Sequence, residues 1–249
     1  MKIELLRNCS HGSEIATYLA TDEVGGKMVI KATTTPSGIK NLRNEVNGWR
    51  WYQSQRYPTN EPICHIAQQR VKYLQIQIKY IDGRKPIYEN GLERNADALG
   101  SIVAHYCDIW PYSSHASPMH GDLSLDNIII NPDGVHIIDW EHYIADAAPW
   151  GFDILYLLFE SLYFGMRHRN KPTGKEIQII CAHIDSINDH HQLQSDILKT
   201  PLRFVKNFIL ANHHFWGEQL VSFQMKLPIM AFTSDQISRI DEAINSGMA

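Results

Sequence analysis

The sequence predicts an α+β fold in two lobes: a small β-rich lobe over residues 1–81 and a larger, mainly helical lobe over 82–249. Three observations carry this. Short β-type runs and hairpin signals crowd the first eighty residues. A breaker, Asp82-Gly83-Arg84-Lys85-Pro86, then interrupts the pattern. Beyond it, apolar residues recur mostly at helical spacing. At 249 residues and 44% hydrophobic, the chain can bury one large core or two smaller ones, and it is too apolar for a disordered segment. With 23 Lys and Arg against 27 Asp and Glu, it lacks the basic excess of a nucleic-acid binder.

In the first lobe, Glu14 to Thr21 and Met28 to Ala32 read as strands, joined by a hairpin at Gly25-Gly26. Thr35-Pro36 reads as an N-cap followed by proline at the first helical position. The helix runs to about Gln55, with Leu42, Val46 and Trp49 at helical spacing. Gln69 to Ile81 alternates polar and apolar residues and reads as a long strand or hairpin.

In the second lobe, Ala96 to Trp110 reads as a helix, followed by a loop over Pro111 to Pro118. Leu125 to Ile130 and Val135 to Trp140 read as strands around the turn Asn131-Pro132-Asp133-Gly134. Helices are expected over Ile154 to Phe164, Lys175 to Ile187, Pro201 to Phe223 and Ser234 to Ser246. The apolar-rich Ile154 to Phe164 run is a buried helix by its length, since a membrane span needs about 20 apolar residues. The N-terminus shows no signal-peptide core. Four dispersed cysteines, Cys9, Cys64, Cys107 and Cys181, read as reduced thiols and give a cytoplasmic expectation. The doublets His190-His191 and His213-His214 lack the i, i+4 spacing of helical metal ligands.

The chemistry concentrates in His120-Gly121-Asp122-Leu123-Ser124-Leu125-Asp126-Asn127, followed by Ile137-Ile138-Asp139-Trp140-Glu141. Asn127 follows Asp122 by five residues, and Asp139 follows Asn127 by twelve. Phosphoryl transfer from ATP needs a carboxylate to orient the acceptor hydroxyl and take its proton, and oxygen ligands to hold magnesium. This pattern supplies both.

In these motifs the chain resembles the aminoglycoside phosphotransferase and choline kinase branch of the protein-kinase-like fold. His-Gly-Asp and Ile-Asp-Trp-Glu point to that branch, and Gly151-Phe152-Asp153-Ile154 is similar to an element of choline kinases. The resemblance implies a bilobal protein-kinase-like fold and an ATP- and magnesium-dependent (Mg2+) phosphotransferase acting on an alcohol group. It implies Asp122 as catalytic base, Asn127 and Asp139 as magnesium ligands in the catalytic set, and Asp153 as a structural clamp on the catalytic loop. Glu141 shares one side of an extended segment with Asp139 and reads as a further acidic contact.

In the first lobe, Lys31 ends an apolar strand where a kinase-like lobe keeps its phosphate-contacting lysine. Glu45 projects from the apolar face of the first helix, where a carboxylate needs a cation, and Lys31 is the natural partner. The stretch Asn8 to Ser13 stands where a phosphate-covering loop is expected; with one glycine, it leaves contacts to backbone N–H groups and to Ser10 or Ser13. Adenine is expected along the backbone at Tyr80 and Ile81.

The acceptor is expected to be a hydroxyl-bearing small molecule, sugar or glycan. Arg167, His168, Arg169, Lys171 and Lys175 form a basic cluster that favours one carrying phosphate or carboxylate, against a solvated interhelical loop. Ser124 and Asp126 depart from the His and Gly common in the family. Two alternatives stand beside this reading: a non-catalytic kinase-like nucleotide-binding regulatory module, and a choline- or ethanolamine-type kinase with an aromatic cage drawn from Trp140, Tyr143, Trp150 and Trp216. The short Trp140 to Ala148 segment, with no long activation segment, speaks against a protein kinase.

Overall fold

A computed structural model describes residues 1–7, 14–56, 61–87, 91–112, 116–216 and 227–247. The chain packs as two compact units. The first holds Met1–Asp82 together with Asp139–Ala145; the second holds Gly83–Ile138 and Asp146–Ala249. Residues 139–145, which the sequence division put in the second lobe, therefore group with the first.

The first unit is an antiparallel five-stranded sheet in the order β1-β2-β3-β5-β4, with one long helix. Its strands are β1 (Lys2–Arg7), β2 (Ala16–Thr21), β3 (Lys27–Thr33), β4 (Cys64–Arg70) and β5 (Tyr73–Lys79). The β2–β3 hairpin turns at Gly25, whose φ of 89° favours glycine, while the Asp22 carboxylate accepts from the backbone of Val24 and Gly26. The run expected over Gln69 to Ile81 contributes only part of a hairpin, because β4 begins back at Cys64. On β5, Leu74, Ile76 and Ile78 alternate inward.

Helix α1 (Pro36–Arg56) starts as the Thr35-Pro36 pair predicts: the Thr35 hydroxyl accepts from Gly38 N at 3.1 Å. Its buried stripe is Leu42, Glu45, Val46, Trp49 and Tyr52. Gly48 lies on that stripe one turn after Glu45. A Cβ there would meet Trp140 Cβ at 2.5 Å, so this glycine lets residues 139–145 approach the helix.

In the second unit, α2 (Gly91–Arg94) and α3 (Ala96–Ile109) precede β6 (Ser117–Met119). The 3-10 turn Leu125–Asn127 follows, then β7 (Ile128–Asn131) and β8 (Gly134–Ile137), which pair as a hairpin. The strand expected over Leu125 to Ile130 thus begins as a tight turn, and the one expected to reach Trp140 stops at Ile137. Strand β9 (Ile144–Ala148) pairs with β6. Helices α4 (Phe152–Met166), α5 (Gly174–His190), α6 (Ser195–Lys199), α7 (Pro201–Ala211) and α8 (Ser234–Gly247) complete it. The helix expected to reach Phe223 stops at Ala211, where a 3-10 turn, His213–Phe215, succeeds it.

Helix α4 is buried on every side from Phe152 to Leu162, the pattern of a central core helix. Among the described residues, no helix is long and apolar enough to cross a membrane.

Candidate active site

Within the first unit, strand pairing aims Lys31 at the helix. It sits opposite Ile76 on β5, and that face of the sheet packs against α1. The Lys31 ammonium donates to Glu45 Oε2 at 2.6 Å and to Asp139 Oδ1 at 2.5 Å. Glu45 is fully buried and also accepts from Trp49 Nε1, one turn further along α1, at 3.0 Å. One cation thus joins two carboxylates far apart in sequence. Asp139 reaches this position with a φ of 65°, a left-handed backbone uncommon outside glycine and concentrated at functional sites.

Electrostatics follow from burial and crowding. Burial pushes the Lys31 ammonium down, but Asp139, Glu45 and Glu141 outweigh it, so the group is held well above its ordinary value. Burial pushes Glu45 up to about 7 against the pull of Lys31. Glu141 also rises to about 7, through burial and then the Asp139 charge, and lies 4.0 Å from Arg7. Burial lowers His142 to about 4, leaving its imidazole neutral near pH 7.

Within the second unit, the Asp153 carboxylate at the start of α4 accepts from His120 N at 2.8 Å and Gly121 N at 3.1 Å. Burial lifts Asp153 to about 7, opposed by those two N–H groups. Gly121 has a φ of 82°, and its carbonyl accepts from Trp216 Nε1 at 2.7 Å. The fully buried His120 ring accepts from Asp122 N at Nδ1, 3.3 Å, and reaches Ile138 O through Nε2 at 3.0 Å. With Nδ1 accepting and a carbonyl facing Nε2, the neutral Nε2–H tautomer fits both contacts.

Asn127 closes the loop, its amide nitrogen donating to Asp122 O at 2.8 Å and standing 3.4 Å from Asp122 Oδ2. Lys85 holds the 3-10 turn from outside, donating to Asp126 O at 2.6 Å.

Lys31, Glu45 and Asp139 therefore come together in the first unit, and Asp122 and Asn127 in the second. Ser10 and Ser13 lie outside the described residues. Tyr80 N donates to Lys27 O at 3.4 Å, whereas Ile81 makes no backbone hydrogen bond to the described residues.

In the first unit Asp139 offers carboxylate oxygen; in the second Asn127, with its nitrogen turned to Asp122, offers its amide oxygen, and each is a hard donor of the kind magnesium takes rather than a soft one. Among the described residues, no three His, Cys, Asp or Glu side chains form a metal cage.

In the basic cluster, Arg169 pairs with the buried Glu176 at 2.8 Å and Lys175 with Glu93 at 3.3 Å. Glu176 also forms a capping box with Thr173 at the start of α5. The four aromatics considered for a cage are buried. Trp150 and Trp216 direct their indole N–H groups to backbone carbonyls, and Trp140 and Tyr143 pack around Trp51.

Sequence reasoning missed Arg7 beside Glu141 and the bonding of Trp216 to Gly121. Neither carries a local signal, since both partners are remote in sequence.

This architecture and the two clusters define the protein-kinase-like fold, and solved structures bear this out. The chain is similar to the amicoumacin kinase hAmiN, solved in complex with AMP-PNP, Ca2+ and Ami (TM-score 0.54, 12% identity, covering 98% of this chain and 88% of that one). It is also similar to an aminoglycoside phosphotransferase from Alicyclobacillus acidocaldarius (TM-score 0.50, 12% identity, 98% and 90%). A third similar structure is the streptomycin–ATP ternary complex of APH(2")-IIa (TM-score 0.50, 12% identity, 98% and 93%). No protein-family model matches the chain, and no curated protein sequence matches it. At such low identity the likeness establishes the fold, which is that of the aminoglycoside phosphotransferases.

Proposed function

We propose that the protein is an ATP-dependent phosphotransferase acting on a hydroxyl of a small molecule or sugar. The observation that carries this is the buried Lys31 holding Glu45 and Asp139 at once. A buried carboxylate such as Glu45 is costly unless paired, and the pairing fixes the direction of the Lys31 ammonium. The solved relatives bound to AMP-PNP or ATP support a nucleotide as the phosphoryl donor.

In this reading Lys31 binds the nucleotide phosphates, and the backbone around Tyr80 and Ile81 takes the adenine through the Ile81 groups that no described backbone group engages. Magnesium, when bound, offsets phosphate charge; Asn127 and Asp139 are the residues to hold it. Asp122 orients the acceptor hydroxyl and receives its proton. A new bond forms between the acceptor oxygen and the γ-phosphorus as the bond to the β,γ-bridging oxygen breaks, and ADP leaves. Asp153, His120 and Trp216 do not touch the reactants; they fix the loop that aims Asp122.

With Arg169 and Lys175 already paired, the support for an anionic acceptor narrows to Arg167, His168 and Lys171. The broader class, a hydroxyl-bearing small molecule or sugar, is the one proposed. Incubation with magnesium and ATP across a panel of sugars, sugar phosphates and amino alcohols tests it. Transfer to at least one acceptor is expected, with a loss of about 10²- to 10⁴-fold in Asp122→Ala and nucleotide binding retained. Nucleotide binding without turnover on any acceptor would favour the regulatory module instead. Unchanged turnover in Asp122→Ala would sink the mechanism.

A further inference from the structure

Strand β1 is a bare edge of the first unit's sheet. Every residue from Lys2 to Arg7 is exposed, although Ile3, Leu5 and Leu6 are large and apolar, at 54%, 50% and 53% exposure. One exposed leucine needs no explanation, but several on a single short strand do. Among the described residues, β2 is its only strand neighbour. The backbone groups turned away from β2 are therefore a template for a further strand.

The strand register extends the apolar character inward from this edge. Ile3 stands opposite Ala20 and Leu5 opposite Tyr18; Ala20 and Tyr18 stand in turn opposite Met28 and Ile30 on β3. Residues opposite one another share a face, so these six form one apolar face. Lys31 and Ile76, which face α1, lie on the other. Lys2 and Glu4 alternate onto that second face, and neither makes an ion pair with a described residue.

The residues of β1 select a second copy of the same strand as the occupant. In a twofold antiparallel pair of identical strands the axis stands normal to the sheet, so each register is centred on one residue opposing itself. Centring on Lys2 or on Glu4 sets that charge against its own copy, which is destabilising. Centres at Leu5 or beyond take in the irregularity between Leu5 and Arg7, and they set charged residues against apolar or like-charged ones. Centring on Ile3 sets Lys2 opposite Glu4 of the second copy, and Glu4 opposite its Lys2. Ile3 then meets Ile3, and Leu5 meets Met1. Opposite charges thus match on one face while the apolar face continues across the seam. Arg7, 4.0 Å from Glu141, falls outside the paired residues and keeps that contact. The far edge, β4, is exposed mainly through polar residues, so pairing closes at two copies.

We propose that β1 is a homodimer interface, in which two copies of the chain pair their β1 edges antiparallel about Ile3. This inference is independent of the phosphotransferase reading. So short a paired segment makes a small interface, and a weak, concentration-dependent dimer is expected.

Sedimentation velocity over about 1–200 µM is expected to show wild type passing from monomer to dimer. Lys2→Glu and Glu4→Lys each set like charges opposite one another and should weaken the dimer about tenfold. Mixing the two variants restores both opposite-charge contacts, so the mixture should dimerise about as well as wild type. Ile3→Cys is expected to crosslink to its own copy under air oxidation, since opposed Cα atoms about 4.5–5.5 Å apart lie within disulfide reach. Val24→Cys, on the exposed β2–β3 turn, is the control and should not. Thermal melting of each variant verifies that the fold is retained. A wild type that stays monomeric throughout the range overturns the inference. So does a dimer that both charge variants form at wild-type strength, or a mixture that associates no better than its components. Ile3→Cys crosslinking no faster than Val24→Cys would overturn the register about Ile3.

Discussion

Two buried carboxylates, one in each unit, anchor the two clusters, and they are stabilised in different ways. Glu45 in the first unit meets a full positive charge, the Lys31 ammonium, shared with Asp139. Asp153 in the second unit meets only two backbone N–H groups, from His120 and Gly121. Burial raises both to about 7. The partners differ in what they can do next. A lysine held by two carboxylates still presents a full positive charge that an anionic ligand can share, whereas backbone N–H groups carry only partial charge and are fixed in the chain they belong to. The first arrangement suits binding of an anionic ligand. The second suits holding a loop still.

The largest expected effect comes from breaking the charged cluster. Lys31→Met leaves Glu45 buried without its cation and should cost about 3–5 kcal/mol in urea unfolding. The double variant Lys31→Met with Glu45→Gln should recover most of that stability while ATP binding stays weak. Failure to recover would mean that Lys31 stabilises the fold chiefly through its Asp139 contact.

A smaller effect tests how the cluster is assembled. Gly48→Ala would gain helix propensity, about 1 kcal/mol in an open helix. Here the added methyl meets Trp140, so a net loss of about 1–3 kcal/mol is expected, together with weaker ATP binding. A stabilised variant would show that α1 and Trp140 need not approach so closely.

The smallest effect is a slope and belongs to the second unit. Asp153 has its folded value raised from 3.8 to about 7, so folding favours its protonated form. Its contribution is complete below pH 4 and is lost as pH rises through about 7. Asp153→Asn cannot ionise yet keeps an oxygen to accept from the loop. Its unfolding free energy should fall less steeply than that of wild type between pH 4 and 7. Glu45 adds a slope of the same sign in both proteins, so only the difference between them reports on Asp153. Equal slopes would mean that Asp153 stays ionised throughout, held by the two N–H groups.

Much of this was legible along the chain. Thr35-Pro36 marked the start of α1, and Glu45 on its apolar stripe implied a buried cation partner, which is Lys31. The Gly151-Phe152-Asp153-Ile154 run marked a clamp on the loop at His120 and Gly121. Less legible was the stretch after Ile137. Its β-type residues suggested a strand to Trp140, but the backbone leaves the hairpin and turns left-handed at Asp139. Strand β4 was hidden for a similar reason: most of its residues are exposed and polar, so no alternation marks it.

The sequence by itself determined the fold class, the order of the chemistry-bearing residues and the pairing of Lys31 with Glu45, because apolar spacing and motif order are local properties. Only the tertiary structure decided that Lys31 also holds Asp139 and that Trp216 bonds the Gly121 carbonyl. Each of these depends on groups brought together by packing, and that outcome is not written in the spacing of residues along the chain.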